Sequence, residues 1–218
     1  MIVDERITAY INSLGMELPQ ELRALEADAL AHYVPIVKKD TQGALKFLLT
    51  LQQPKRILEV GTAIGFSALF MSEHTGADCK ITTIEKVAMR LVEAEKNLTN
   101  PIYPHKDKIK LIKGEALEVL KQLVEEKASF DFIFLDAAKA QYMSFLPELM
   151  KLLEMNGLLV TDNVLQDGTV TNSRYSITRR DRTIHSRMRE YLHTITHMEE
   201  LSSVILPVGD GIALSHRI

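Results

Sequence analysis

From residue 55 onward, short apolar runs alternate with longer amphipathic segments, the pattern of βα units laid side by side in a parallel sheet. KRILEV (55–60), KITTI (80–84), KIKLI (108–112), FDFIFL (130–135) and GLLVT (157–161) are rich in Ile, Leu, Val or Phe and predict five strands. Between them IGFSALFMSEHTG, VAMRLVEAEKNLTN, EALEVLKQLVEEK and YMSFLPELMKLLEMNG predict helices, with Gly76 and Gly157 as C-terminal stops. In EALEVLKQLVEEK, Leu117, Leu120 and Val124, together with Val119 and Leu123, recur at helical spacing and give one face to lie on the sheet. The rhythm breaks at LSSVILPVGDGIALSHRI, where two strand-like runs flank Gly209-Asp210-Gly211, so the last two strands are expected to form an antiparallel hairpin. Before residue 55 only helical patterns occur, near 2–13, 20–32 and 41–52. They predict an N-terminal helical layer (1–53) within a single domain spanning 1–218, and no repeat or long linker interrupts it.

Composition narrows the function classes. The 218 residues are 46% hydrophobic, enough for a sizeable core, and a net charge of -3 with 25% charged residues excludes a polybasic chain or an acidic disordered tail. Any basic surface must be local. One cysteine, Cys79, excludes an internal disulfide and a multi-cysteine zinc site and fits a reducing, cytoplasmic setting. No run of 18 apolar residues appears and the N-terminus lacks a signal-peptide layout, so neither a membrane nor export is expected.

Chemistry gathers where strands end. In LEVGTAIGFSAL a strand runs through Glu59 into a turn with Gly61 and Gly65 that opens a helix. Glycines let a ligand approach the backbone, and the helix N-terminus offers free N–H groups. The turn has neither G-x-G-x-x-G nor Gly-Lys-Ser/Thr, so pyrophosphate is not the obvious ligand, and a plain strand-to-helix turn is the alternative. Strand two ends on Glu85, where an acid can accept hydrogen bonds from both hydroxyls of a ribose; an exposed carboxylate at a helix start is the other reading. Together the two features point to a nucleoside. Glu115 and Ala116 follow strand three at the neighbouring mouth, where a base could lie.

Two further strands end on Asp136 and Asp162, the second followed by Asn163. Parallel neighbours end at one sheet edge, so two carboxylates and an amide carbonyl converge there, a set that suits a hard cation such as magnesium. For each Asp alone a helix N-cap is the competing role. Lys139, three residues after Asp136, can reach back over this site and take a proton, or be a solvated surface lysine. The seven histidines show no ligand spacing. Residues 174–190 hold six arginines against two acids, read as a solvated helix face or as a site for an anionic partner.

EVGTAIGFSAL, TIE, DFIFLDAAKAQY, VTDNVL and PVGDG, in this order and spacing, resemble the cation-dependent class I O-methyltransferases, which include catechol and caffeoyl-coenzyme A methyltransferases. Within that group VPIV, GTAIGFS, DAAKAQY and TDNVL look most like the bacterial enzymes that methylate 5-hydroxyuridine at the wobble position of tRNA, giving 5-methoxyuridine. The resemblance implies a Rossmann-like seven-stranded, mostly parallel sheet with a reversed last strand and helices on both faces. It also implies S-adenosylmethionine, Mg2+ or another divalent cation, and a homodimer. Carried over, Val37, Glu59, Gly61, Ser67, Glu85, Glu115, Ala116 and Asp136 would hold the donor, with Ser67 near its methionine carboxylate and Glu85 on the ribose. Asp136, Asp162 and Asn163 would bind the metal, with Lys139 as base beside Asp136. A tRNA anticodon loop would lay phosphates on Arg174, Arg179, Arg180 and Arg182. A catechol-like small molecule is the alternative acceptor. One departure stands out: caffeoyl-coenzyme A enzymes carry a second acid two places after the metal-binding Asp, where this chain has Ala138. That departure argues against their substrate class and removes one donor contact.

Overall fold

The structure, a computed structural model, describes residues 2–15 and 17–218, with the backbone alone for Arg174. Helices α1 (Glu5–Ser13), α2 (Gln20–Ala31) and α3 (Lys39–Gln52) precede the first strand, β1 (Arg56–Val60). Then come α4 (Phe66–Glu73), β2 (Lys80–Glu85), α5 (Ala88–Thr99), β3 (Ile109–Lys113), α6 (Ala116–Glu125), β4 (Phe130–Leu135), α7 (Tyr142–Leu152) and β5 (Leu153–Thr161). The chain ends with α8 (Arg182–His197), β6 (Leu201–Leu206) and β7 (Ile212–Arg217).

The seven strands order as β3-β2-β1-β4-β5-β7-β6, and β7 runs antiparallel to both of its neighbours. This is the Rossmann-like α/β sheet with a reversed last strand. The five-residue turn 207–211 closes the expected hairpin, with Leu206 opposite Ile212. Strand order reverses beside β1, which pairs with β2 on one side and β4 on the other, and that opens a crevice at the carboxyl ends of the strands.

The two-residue period of the strands assigns each face. Leu58, Val60, Ile133 and Leu135 face one core with Leu120 of α6, Phe145 and Leu149 of α7 and Tyr191 of α8. Ile57, Phe132 and Phe134 face the other, against Leu45 and Leu49 of α3 and Phe70 of α4. Both faces are covered, which is why β4 reads as an unbroken apolar run from Phe132 to Leu135. On the second face α2 adds Leu22 and Ala29 against Phe66 and Leu69, seating the N-terminal helices on α4. The α6 face is as expected, with Val119, Leu120 and Leu123 buried.

Gly157 departs from expectation: it does not stop α7 but lies inside β5, which begins at Leu153. Leu153 already pairs with Phe130 before the register shifts to Leu158 opposite Phe132, so the chain enters the sheet early. Asn156 takes the left-handed conformation (φ +62°) that the turn requires. Among the described residues no helix is long and apolar enough to cross a membrane.

Candidate active site

A cavity of about 770 Å³ occupies the crevice, and residues at or just past the ends of the first five strands line it: Gly61, Glu85, Glu115, Asp136 and Asp162. The turn after β1 forms its floor. Gly61 has φ +106°, and a Cβ there would lie 2.0 Å from the Asp136 carbonyl oxygen. The close approach of two chain segments therefore requires glycine. Gly61 and Thr62 donate their N–H groups to the Ile84 carbonyl, each at 3.1 Å, which ties the turn to the end of β2.

Glu85 is buried, which replaces the exposed carboxylate considered from sequence. Its Oε2 accepts from the Ala63 N–H, and its Oε1 from those of Lys86 and Val87, all at 2.9 Å. Three fixed donors hold the carboxylate in one orientation and leave acceptor capacity toward the cavity. Glu115 begins α6 and pairs with Lys86 at 2.8 Å, with Ala116 beside it on the wall.

Glu59, Ser67 and Val37 stand outside the cavity lining. The strand period turns Glu59 toward α4, where it is fully buried and its Oε2 accepts from the Thr83 hydroxyl. That hydroxyl lies 2.5 Å from the hydroxyl of Thr62. Burial pushes the Glu59 carboxyl up to about 7, against the pull of the Ser67 and Thr83 hydroxyls and helped by the charges of Asp136 and Glu85. Its Oε1 is nevertheless without a partner in hydrogen-bonding geometry. Val37 packs its side chain into the core with Leu45 and Leu48, and its carbonyl accepts from Gln42 Nε2 at 2.9 Å. Its neighbours Ile36 and Lys38 border the cavity instead.

The acids of β4 and β5 meet as expected. Asp136 and Asp162 extend the ladder, Asp136 N–H to the Val60 carbonyl and Asp162 N–H to the Leu135 carbonyl, both at 3.0 Å. Asn163 Nδ2 donates to Asp136 Oδ1 at 3.0 Å, and the Asn163 N–H donates to Asp162 Oδ1 at 2.7 Å. Neither Asp caps a helix: the short 3₁₀ turn Lys139–Gln141 starts from Ala138 without a side-chain cap, and the one after β5 starts from Leu165. Asn163 holds φ +61°, a conformation Asn tolerates better than most residues. Burial, then the charge of Asp136, pushes Asp162 up to about 8, and burial raises Asp136 as well.

The carboxylates of buried Asp162 and half-buried Asp136 form a centre of negative charge that Lys139 offsets only in part. A divalent cation fits them on donor chemistry, with Asn163 able to add an amide oxygen and water to complete the shell. Among the described residues no group of three His, Cys, Asp or Glu side chains forms a metal site, so such a cation would depend on this mixed set. Lys139 lies half-buried on the wall, and its charge opposes the rise of both Asp136 and Asp162. Its ammonium makes no hydrogen bond or ion pair with a described residue.

The arginines divide. Arg179 and Arg180 are exposed in the turn before α8, and Arg182 opens α8 and donates to the Ile177 carbonyl at 3.3 Å. The Arg174 side chain lies outside the described residues. Arg187 Nη1 donates to the Ala140 carbonyl at 2.9 Å, and Ile184 on the same helix lines the cavity. The segment thus meets the cavity through Ile184, and none of its described arginine side chains is part of the lining.

A protein-family model described as O-methyltransferase matches residues 11–218. The chain belongs to this O-methyltransferase family. It is 34% identical over 169 residues to a catechol O-methyltransferase of Niastella koreensis, covering 76% of each chain. It is 32% identical over 186 residues to caffeoyl-CoA O-methyltransferase 1 of Eucalyptus globulus, covering 80% of this chain and 71% of that one. Among solved structures, a candidate caffeoyl-CoA O-methyltransferase from Staphylococcus aureus superposes with a TM-score of 0.89 at 30% identity, covering 98% of this chain and all of that one. A Bacillus cereus O-methyltransferase in complex with SAH shares the fold, with a TM-score of 0.84 at 23% identity, covering 98% of this chain and 97% of that one.

In this O-methyltransferase, sequence reading missed one side of the site. Lys38 lines the cavity and pairs with Asp210 at 2.6 Å, with Asp167 at 3.9 Å. Gly209-Asp210-Gly211 signalled a hairpin, and the Asp in it passed as a turn residue. Lys38 carried no signal, because its partner is 172 positions away.

Proposed function

We propose that the chain is an S-adenosylmethionine- and divalent cation-dependent O-methyltransferase acting on 5-hydroxyuridine in a tRNA anticodon loop, yielding 5-methoxyuridine. The observation that carries the RNA acceptor is the segment that meets the cavity rim through Ile184 and holds Arg179, Arg180, Arg182 and Arg187, the last on the carbonyl of the lining residue Ala140. A polyanion gains from such a rim, and a splayed single-stranded base can enter a cleft that a duplex base cannot. In 5-hydroxyuridine the hydroxyl adjoins the O4 carbonyl, the same vicinal oxygen pair that a catechol presents.

Glu85 would hold the donor ribose, Glu115 and Ala116 would border its adenine, and the Gly61 turn would admit the chain between them. S-adenosylmethionine would supply an electrophilic methyl and leave as S-adenosylhomocysteine, and Asp136, Asp162 and Asn163 would hold a divalent cation able to lower the pKa of the acceptor hydroxyl. Lys139, on the cavity wall, would receive that proton, and the wall would orient the oxygen toward the methyl. Ala138, on the wall beside Lys139, leaves space for the acceptor. The test is methyl transfer to tRNA carrying 5-hydroxyuridine, with magnesium and with EDTA. Metal-dependent formation of 5-methoxyuridine is expected, and no transfer to that RNA sinks the assignment.

A catechol-like small molecule is the second reading. Asp167 and Asp210 place negative charge at the mouth, with Lys38 as counter-charge, which suits an uncharged acceptor. Comparable turnover of free catechols, undiminished when Arg179 and Arg180 become Gln, favours it.

We also infer a homodimer. Helix α1 buries no side chain and leaves Ile7, Tyr10, Ile11 and Leu14 exposed, an apolar surface that a second copy would cover. Light scattering at micromolar concentration measures the mass directly, and a monomer refutes the dimer. The one cysteine, Cys79, is buried and free, as suits the cytoplasm.

A further inference from the structure

The cavity wall carries a cation that no step above uses. Arg90 stands in the first turn of α5, exposed, with its side chain bordering the cavity. Its guanidinium makes no hydrogen bond or ion pair with a described residue. The other cations on this wall are engaged: Lys38 with Asp210, Lys86 with Glu115, and Lys139 at the proposed proton transfer. Both Arg90 and Asp136 line the cavity, and the Arg90 charge opposes the rise that burial imposes on Asp136.

Its place in the fold matters. Helix α5 follows β2 and packs Leu98 into the cluster of Leu22 and Leu69, on the sheet face of α2 and α4. Helix α8 packs Met188 and Tyr191 on the opposite face. Arg90 and the cavity-lining Ile184 of α8 thus reach the cavity from elements on opposite faces of the sheet. Beside Arg90, Val87 lines the cavity and Met89 is 83% exposed, an apolar rim on which a neighbouring base can rest.

We propose that Arg90 is a specificity-determining residue that seats the phosphate of the acceptor nucleotide, resting on the nucleotide acceptor put forward above. In a pyrimidine nucleotide, C5 is separated from the glycosidic nitrogen only by C6. A base entering with its 5-hydroxyl toward Asp136 and Lys139 therefore leaves its ribose and phosphate at the mouth, one side-chain length from the reacting oxygen. A guanidinium meets a phosphate through two parallel N–H donors, which gives geometry as well as charge. A catechol offers Arg90 nothing comparable.

The experiment compares 5-hydroxyuridine, its 5′-monophosphate and a 5-hydroxyuridine anticodon stem-loop on wild type, Arg90→Gln and Arg90→Lys. The quantity read is the ratio of kcat/KM for nucleotide over nucleoside. Arg90→Gln is expected to lower that ratio about tenfold or more, Arg90→Lys less, since lysine keeps charge without the fork. For the stem-loop, the slope of log KM against log salt is expected to lose about one unit in Arg90→Gln. A wild type that methylates the nucleotide, with a ratio unchanged in Arg90→Gln, overturns the role of Arg90 and leaves the acceptor assignment standing. A wild type that methylates no hydroxyuridine substrate overturns both.

Discussion

Substituting Gly61 by Ala tests the claim that the cavity floor depends on the contact of two chain segments. Two costs add. The residue holds φ +106°, a region costing an L-residue about 1–3 kcal/mol. The new Cβ would also lie 2.0 Å from the Asp136 carbonyl oxygen and 2.8 Å from its carbon, backbone atoms of a central strand end that cannot swing away. Overpacking of that kind costs about a further 1–3 kcal/mol. Gly168→Ala isolates the first cost, because Gly168 has φ +87° and its added Cβ meets nothing within 4 Å. Urea unfolding is expected to place Gly61→Ala about 2 kcal/mol below Gly168→Ala, with the m-values unchanged. The clash also moves Asp136, so Mn2+ affinity measured by paramagnetic resonance is expected to fall in Gly61→Ala alone. Equal destabilisation of the two variants refutes the close-contact reasoning.

Three other outcomes are expected. Glu59, fully buried and raised to about 7, keeps its proton in the folded protein while the unfolded chain loses it; its stabilising effect is full below about pH 4.5 and lost as pH rises through 7. Glu59→Gln is therefore expected to flatten a decline of about 3 kcal/mol between pH 4.5 and 8, read from urea midpoints. Lys108, buried, donates Nζ to the carbonyls of Ser72, in the last turn of α4, at 2.7 Å and of Thr75, just beyond it, at 2.9 Å, so Lys108→Ala is expected to cost about 1–3 kcal/mol in thermal unfolding. Asp162→Asn removes one of two opposed carboxylates; it is expected to raise the melting temperature in EDTA and abolish Mn2+ binding, and unchanged Mn2+ affinity removes Asp162 from the cation site.

The sheet and its helices were legible because the information is local. Ile57 to Val60 and Phe132 to Leu135 need only their own residue types to read as strands covered on both faces, and the acids at their ends follow from parallel pairing. Gly157 was misread because a glycine after a helical pattern resembles a stop, whereas the register of β4 against β5 draws the chain into the sheet at Leu153. The side of Glu59 was legible in principle, since strand period puts it with Ile57, but a motif ending in an acid suggests a ligand contact before it suggests a buried carboxyl. Val37 shows the same limit: its neighbours Ile36 and Lys38 face the cavity, and a segment without regular structure has no period from which to read that.

Lys38 and Asp210 carry the part of the site that only the folded chain assembles. Asp210 adds a third acid facing Asp136 and Asp162, and its charge raises both; Lys38 balances it from a segment that is adjacent only in space. With Lys38 53% and Asp210 17% exposed at the side chain, the pair contributes no more than about 1 kcal/mol to folding. Its effect on a bound cation is larger, because a divalent ion doubles each Coulomb interaction and a partly dry cleft screens less than water. Lys38→Gln leaves Asp210 unbalanced and is expected to tighten Mn2+ binding about threefold or more. Asp210→Asn is expected to weaken it by a similar factor, and the double variant to return near wild type. Opposite signs in the two single variants are what a charge effect demands. A loss of affinity in both would mean that the pair acts by holding the hairpin against residues 38–41, where Gly209 already donates its N–H to Asp40 at 2.8 Å, and not through the field at the cation site.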